Sequence, residues 1–419
     1  MEKTKAYSLA KYACYITNIS MAVVANLSPL LFVTFRQMYG ISYTLLGLLV
    51  VVNFSTQLII DLIFSFFAKK IDVQKTVRVM PLIAFFGFLI YGIFPQVFPQ
   101  NAYLWIVSGT VVFSVSSGLN EVLASPLIAA IPSENPEREM SKLHSMYAWG
   151  VVGVVIISTV FLSVFGTVNW GYLALLWSLV PLSAFIMFRK AELPEIGHSD
   201  NELKKEKSMG MGVFLCVICI FLGGAAECTM AQWASGFIEN ALSIPKLLGD
   251  ILGVAVFATL LGLGRTVYAK YGKNVLNVML WGMTGAAICY FVAGISLNPV
   301  ISLCACILTG ICVSMLWPGT IICVGEKIPA AGVAIYALMA AGGDMGASVA
   351  PQLVGIVSDK ISLSNFALEL SELLHISAEQ LGMRMGLLVS TAFPLLGVLV
   401  VICLKAYFSA IERKGNDLQ

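Results

Sequence analysis

The chain has 419 residues, of which 58% are hydrophobic and only 11% charged, with a formal net charge of +2. Soluble domains carry about 25% charged residues, so this composition excludes a soluble globular fold, and the near-neutral balance argues against a nucleic-acid-binding surface. Apolar runs longer than the roughly 20 residues that cross a bilayer core recur from end to end, which makes the lipid bilayer the expected surroundings.

In chain order, the apolar runs predict about twelve membrane helices: 12–38, 43–67, 77–96, 102–130, 140–164, 170–188, 211–238, 245–268, 275–295, 299–323, 332–357 and 382–408. The opening MEKTKAYSLAK is short and basic, and the run behind it carries no small-residue cleavage site. A retained first span is therefore expected, not a removed signal. The longest hydrophilic segment, RKAELPEIGHSDNELKKEKSMG, covers 189–210 with six predicted spans on each side. It lacks periodicity and reads as a cytoplasmic linker between an N-terminal six-helix half (1–188) and a C-terminal one (211–419). Twenty of the 25 Lys and Arg residues fall on one side of this topology, and four (Arg36, Lys246, Lys360 and Arg384) on the other. Arg265 lies within a span. The asymmetry predicts a cell-membrane protein with both termini cytoplasmic. Between the last two spans, Phe366, Leu370 and Leu373 share a helical face, predicting a short amphipathic helix on the outer surface. Ser377-x-x-Gln380 after it has the spacing of a capping box.

The halves echo one another. Gly118 and Pro126 in the fourth span are spaced like Gly310 and Pro318 in the tenth, and Gly150-x-x-Gly153 in the fifth matches Gly343-x-x-Gly346 in the eleventh. A duplicated six-helix unit follows, and parallel repeats of this kind place a solute site near the midplane. Nine of the ten Cys lie after residue 215, all within apolar stretches. Cys216-x-x-Cys219 and Cys304-x-Cys306 have no His or acidic ligand beside them, so they read as packing residues and no metal site is expected.

Charges deep in a membrane are costly and face a bundle interior or an aqueous cavity. Glu121 stands at the middle of VVFSVSSGLNEVLASPLIAAI, where Ser114, Ser117, Gly118 and Ser125 share its face. It reads as a solute-binding or proton-exchanging acid, with a structural acid paired across helices as the alternative. Glu227 shares a face with Gly223, Gly224, Ala231 and Ala234, and the paired glycines suggest local unwinding there. Asp344 sits on a face of Ala and Ser residues, and either titrates or pairs with a donor on another helix. Arg265 has no evident partner in the sequence and reads as a snorkelling or gating residue. Asp61 reads as structural. His144 lies one turn into its span beside Ser141 and Tyr147. Trp149, Trp233 and Trp317 lie inside spans, where rings beside carboxylates suit sugars and plain packing is the alternative.

Twelve spans in two halves around a central loop resemble the major facilitator superfamily. Shorter motifs resemble its fucose permease-like sugar/proton symporters. These are Gly118-x-x-Glu121-x4-Pro126, LHSMYAWGVVG at 143–153, Glu227-x5-Trp233, Gly264-Arg265, and Gly346-x4-Pro351-x3-Gly355-x3-Asp359. Ser125 stands where that group has Asn, and the loop after the second span reads Ser65-Phe66-Phe67-Ala68-Lys69-Lys70-Ile71-Asp72 in place of G-x-L-A-D-R-x-G-R-R. Fucose permease also has an acid in its first span, where this chain has Asn18, Asn26 and Arg36. The resemblance implies a secondary active transporter for a small polar solute, a sugar by this likeness, with proton symport. A proton-antiporting exporter and a non-transporting receptor are the alternatives. Proton coupling would fall to Glu121 and Glu227, and gating to Arg265. Solute contacts would come from Glu121, Asn120, His144, Tyr147, Trp149, Glu227, Trp233 and Asp344. Solute, protons and lipid are the expected partners of a monomer with no cofactor, no metal and no enzymatic activity.

Overall fold

The computed structural model describes residues 7–67, 71–132, 136–194, 210–328 and 333–416, and the middle of the predicted linker (195–209) lies outside them. No strand occurs among the described residues. The helices, in chain order, are α1 (Ser8–Leu30), α2 (Phe32–Tyr39), α3 (Tyr43–Phe67), α4 (Val73–Val97), α5 (Ala102–Ala130), α6 (Pro136–Phe165), α7 (Trp170–Lys190), α8 (Gly210–Gly236), α9 (Val256–Tyr271), α10 (Val275–Ile295), α11 (Pro299–Val313), α12 (Leu316–Lys327), α13 (Val333–Ser362), α14 (Asn365–Leu374), α15 (Ala378–Ser390) and α16 (Ala392–Asn416). Short π-helical turns, Phe237–Ala241 and Gly249–Ala255, close α8 and open α9.

Every predicted span meets a helix. Eleven stretches of the described residues are long and apolar enough to cross a membrane. The span expected at 332–357 is the 30-residue α13, which is not among those eleven. Apolar side chains such as Trp281, Ile288, Leu395 and Leu399 are exposed along α10 and α16, as lipid-facing positions must be. In a bilayer the backbone has no water to bond, so each span satisfies its own N–H and C=O groups as a helix.

Three predicted spans are interrupted where hydropathy shows no break. The first breaks at Leu31, two residues after Pro29. The tenth breaks at Ser314–Met315 and restarts as α12 with Pro318 in its first turn. The last restarts after Thr391, with Pro394 again in the first turn. Proline supplies no N–H and its ring crowds the carbonyl four residues back, so the second and third breaks fall where proline is tolerated, in a first turn, whereas Pro29 lies in the last turn of α1.

Two compact units emerge, one of Met1–Ile41 and Val52–His198 and one of Ser42–Val51 and Ser199–Gln419. The first two turns of α3 thus belong with the second unit. Within the first unit α4 packs on α5 and α7, and α1 on α6. Its core includes Cys14, Val77, Met80, Leu127, Leu143 and Phe188. Within the second unit α8 packs along α13, and α13 against α15. The expected short helix is α14, capped by Ser364, whose hydroxyl accepts from Ala367 N at 3.1 Å. The capping box is also present: Gln380 N donates to Ser377 Oγ at 3.1 Å, and Ser377 N to Gln380 Oε1 at 3.0 Å.

Candidate functional site

In the first unit, α3 and α5 are joined by a polar ladder. Asn53, Gln57 and Asp61 recur every four residues on α3, and Ser114, Ser117 and Glu121 at three and four on α5, so both rows lie on single helix faces. Ser114 Oγ donates to Asn53 Oδ1 at 2.6 Å, Gln57 Nε2 to the same oxygen at 3.1 Å, and Ser117 Oγ to Gln57 Oε1 at 2.9 Å. Gly118 makes the approach possible, because a Cβ there would sit 3.1 Å from Gln57 Cα. One turn further on, the ladder ends in two acids, with a carboxylate oxygen of Asp61 within 4.8 Å of one of Glu121. The serine stripe predicted around Glu121 therefore faces α3. Asp61, read from the sequence as structural, is the acid beside it. The i, i+4, i+8 run of Asn53, Gln57 and Asp61 was the available signal.

Asn120, next to Glu121, points elsewhere. It is 1% exposed, and its Nδ2 donates to Asn18 Oδ1 on α1 at 2.7 Å. Tyr147 is half-buried on α6, and Trp149 is 67% exposed. The side chain of His144 lies outside the described residues. Toward the N-terminal end of α6, Glu139 gathers three donors that the sequence reading missed. Lys142 Nζ lies at 2.7 Å, Tyr15 OH at 2.8 Å and Lys11 Nζ at 3.2 Å. Glu139 precedes the membrane-spanning part of α6. The Lys142 hydrogen bond, reinforced by Tyr15 and Lys11, holds its carboxyl down at about 2.

In the second unit Arg265 has a partner. Its Nη2 donates to Glu227 Oε1 at 2.7 Å, and its Nε to Ser314 O at 3.0 Å. Local sequence explains the meeting. Pro318 has no N–H to offer the Ser314 carbonyl, four residues back, which leaves that oxygen for Arg265 at the α11–α12 break. Gly264, the preceding residue, lets α9 close on that break, since a Cβ there would stand 2.7 Å from Ser314 Cβ. Glu227 Oε2 is buried with no hydrogen-bond partner among the described residues. The unwinding expected at Gly223 and Gly224 does not occur, because α8 runs unbroken from Gly210 to Gly236. Those glycines serve packing instead: a Cβ on Gly224 would stand 2.7 Å from Gly343 O.

The α13 motif holds the other end of this unit. Gly346 faces Phe221 O of α8, and Gly355 faces Tyr43 O, both too close for any side chain. The Pro351 carbonyl accepts from Trp233 Nε1 at 2.9 Å, and the Trp233 ring, 1% exposed, meets Tyr43 edge-on at 5.8 Å. Asp359 caps α3, accepting from Tyr43 N at 3.1 Å and Thr44 N at 2.6 Å. Tyr43 OH donates to Glu379 Oε1 at 2.6 Å, and Asn240 Nδ2 reaches that oxygen at 3.0 Å. Asp344 is buried on α13 at 4% exposure. The predicted residues are thus distributed over both units: Glu121 and Asn120 in the first, Glu227, Arg265, Trp233 and Asp344 in the second.

The profile of the Major Facilitator Superfamily matches residues 13–351. The chain belongs to the major facilitator superfamily. Its fold is that of solved transporters of this superfamily. A bacterial homologue of the human lysosomal transporter Spinster, in an inward-facing and occupied conformation, aligns with TM-score 0.75 at 13% identity, over 96% of this chain and 97% of that one. A D-xylose–proton symporter aligns with TM-score 0.72 at 14% identity, over 92% and 96%. The nucleoside transporter NupG aligns with TM-score 0.65 at 10% identity, over 96% and 99%. No curated protein sequence matches the chain. This member of the superfamily is therefore a multi-pass membrane protein with a transporter fold, and superfamily transporters carry small-molecule solutes across a membrane.

Proposed function

We propose that the protein is a proton-coupled symporter for a small polar solute, of the sugar class, in the cytoplasmic membrane. The observation that carries this reading is the Asp61–Glu121 pair. Two ionised carboxylates with oxygens within 4.8 Å of each other repel by about 3.5 kcal/mol or more at an effective dielectric of 20. One shared proton removes that repulsion, and such pairs take up and release a proton as a unit. Glu227 is the second acid of the scheme. Its Oε1 is held by Arg265, and a solute hydroxyl or a proton on Oε2 would complete it.

The two halves, 1–188 and 211–419, rock about a midplane site in the alternating-access scheme, joined by 189–210 with both termini cytoplasmic. Solute contacts are assigned to Glu121, Asn120, His144, Tyr147, Trp149, Glu227, Trp233 and Asp344, as the family resemblance implies. One proton entering through 100 mV releases about 2.3 kcal/mol, enough to concentrate a neutral solute roughly 50-fold. The sugar class is supported by the spacings Gly118-x-x-Glu121-x4-Pro126 and Glu227-x5-Trp233, which resemble the fucose permease-like symporters. The D-xylose–proton symporter among the structural neighbours fits the same reading.

The test is a panel of sugars added to de-energised proteoliposomes while external pH is recorded. Symport predicts alkalinisation with one or more of them. Acidification identifies an antiporting exporter, and the absence of flux for every solute a receptor.

A further inference from the structure

We propose that the first unit contains a sodium-binding site built from uncharged oxygens of α1 and α5. A small cavity lies between α1, α4 and α5, and its lining includes Thr17, Ser20, Ser116, Ser117 and Asn120, all of them buried. The direction of the hydrogen bonds around it is forced. The Leu143 carbonyl can only accept, so Asn18 presents Nδ2 to it, at 2.8 Å. That turns Asn18 Oδ1 toward Asn120, which must answer with its own Nδ2, at 2.7 Å. Asn120 Oδ1 is then the atom left over. It is buried, with no hydrogen-bond partner among the described residues.

Three of the four hydroxyl protons are committed as well. Thr17 donates to Ala13 O at 2.7 Å, Ser116 to Met80 O at 2.6 Å and Ser117 to Gln57 Oε1 at 2.9 Å. These side chains can offer an occupant only lone pairs. A set of acceptors whose protons are used elsewhere suits a ligand that brings positive charge alone. The lining holds no carboxylate, whereas hard divalent cations are held by carboxylates, so the occupant is monovalent. The cavity also lacks room for a water-sized sphere, and a bare sodium ion sits closer to its oxygen ligands than a water molecule does. Potassium, being larger, fits less well. The site's unpartnered oxygen belongs to Asn120, which faces α1, while Glu121 lies beside α3; Ser117 touches both the cavity and the α3–α5 ladder. The inference therefore stands whether or not protons drive transport.

The experiment is thermal unfolding of the purified full chain in choline chloride, with sodium or potassium chloride substituted at constant ionic strength. A ligand that binds only the folded state raises the melting temperature. Sodium is expected to raise it saturably, with potassium at the choline value. Thr17→Val and Ser20→Ala should each weaken apparent sodium affinity about tenfold or more, the scale for losing a group that supports an ion. Asn120→Ala removes the unpartnered Oδ1 and should abolish the sodium-dependent shift. Equal melting temperatures in all three salts would overturn the proposal, as would a sodium effect that survives both truncations. Should a truncation fail to fold, the Asn120→Ala titration decides: loss of the sodium shift supports the site, and an unchanged shift overturns it.

Discussion

Replacing Arg265 with glutamine removes the guanidinium from Glu227 and leaves a carboxylate whose other oxygen has no donor among the described residues. At 2.7 Å and an effective dielectric of 20, the attraction is at most about 6 kcal/mol. Arg265 is 36% exposed and Glu227 16%, so solvent screens part of it. Exposed pairs contribute about 0–1 kcal/mol, while one-sided loss of a buried pair costs about 3–5. A coupling energy near 2 kcal/mol, between these limits, is therefore expected, roughly 2 °C in melting temperature at about 1 °C per kcal/mol for a chain of this length. The assay is a double-mutant cycle of Arg265→Gln, Glu227→Gln and the double variant, read by thermal unfolding in detergent at one scan rate. Each single variant leaves one group unpaired, and the double variant should recover most of the loss. Strict additivity, with coupling below about 0.5 kcal/mol, would refute the pairing and the local argument from Gly264 and Pro318.

Other outcomes follow from the same geometry. Gly264→Val should force α9 off the Ser314 break and cost about 1–3 kcal/mol as an overpacked contact, lowering both melting temperature and uptake. Asp359→Ala removes the cap from α3 and should cost about 0.5–2 kcal/mol. Hydrogen exchange should then accelerate at Tyr43 and Thr44, and unchanged protection would show that the cap is dispensable. Glu139, held down at about 2 by Lys142 with Tyr15 and Lys11, has a folded-state value below its unfolded one. Its contribution to stability is thus full above the ordinary carboxylate range and is lost as pH falls from about 5 toward 2. Glu139→Gln should flatten that part of the stability profile, and an unaltered profile would assign the acid sensitivity to other groups.

Hydropathy gave every spanning helix because crossing hydrocarbon is a condition on length and composition that any window of residues reveals. The breaks at Leu31, Ser314 and Thr391 leave no mark on hydropathy, and those at Ser314 and Thr391 depend on where a proline's missing N–H is tolerated. Helical periodicity identified the face on which Glu121 lies. It carries no information about the opposing helix, so Asp61 reads as structural although it stands third in a polar row. Arg265 has no partner within reach of its own helix: Glu227 is 38 residues away, and the two meet where Gly264 lets α9 approach the α11–α12 break at Ser314. The α13 motif was recognisable as a pattern, but its use, holding Trp233 and capping α3, needed coordinates.

The central claim is that the acid pair of the first unit couples solute to proton movement. Its most direct test is external pH on adding a transported sugar to de-energised proteoliposomes, comparing the unaltered chain with Glu121→Gln and Asp61→Asn. The account predicts alkalinisation by the unaltered chain, its loss in Glu121→Gln, and a marked reduction in Asp61→Asn, with downhill solute flux persisting in both. Undiminished proton uptake in Glu121→Gln would contradict it.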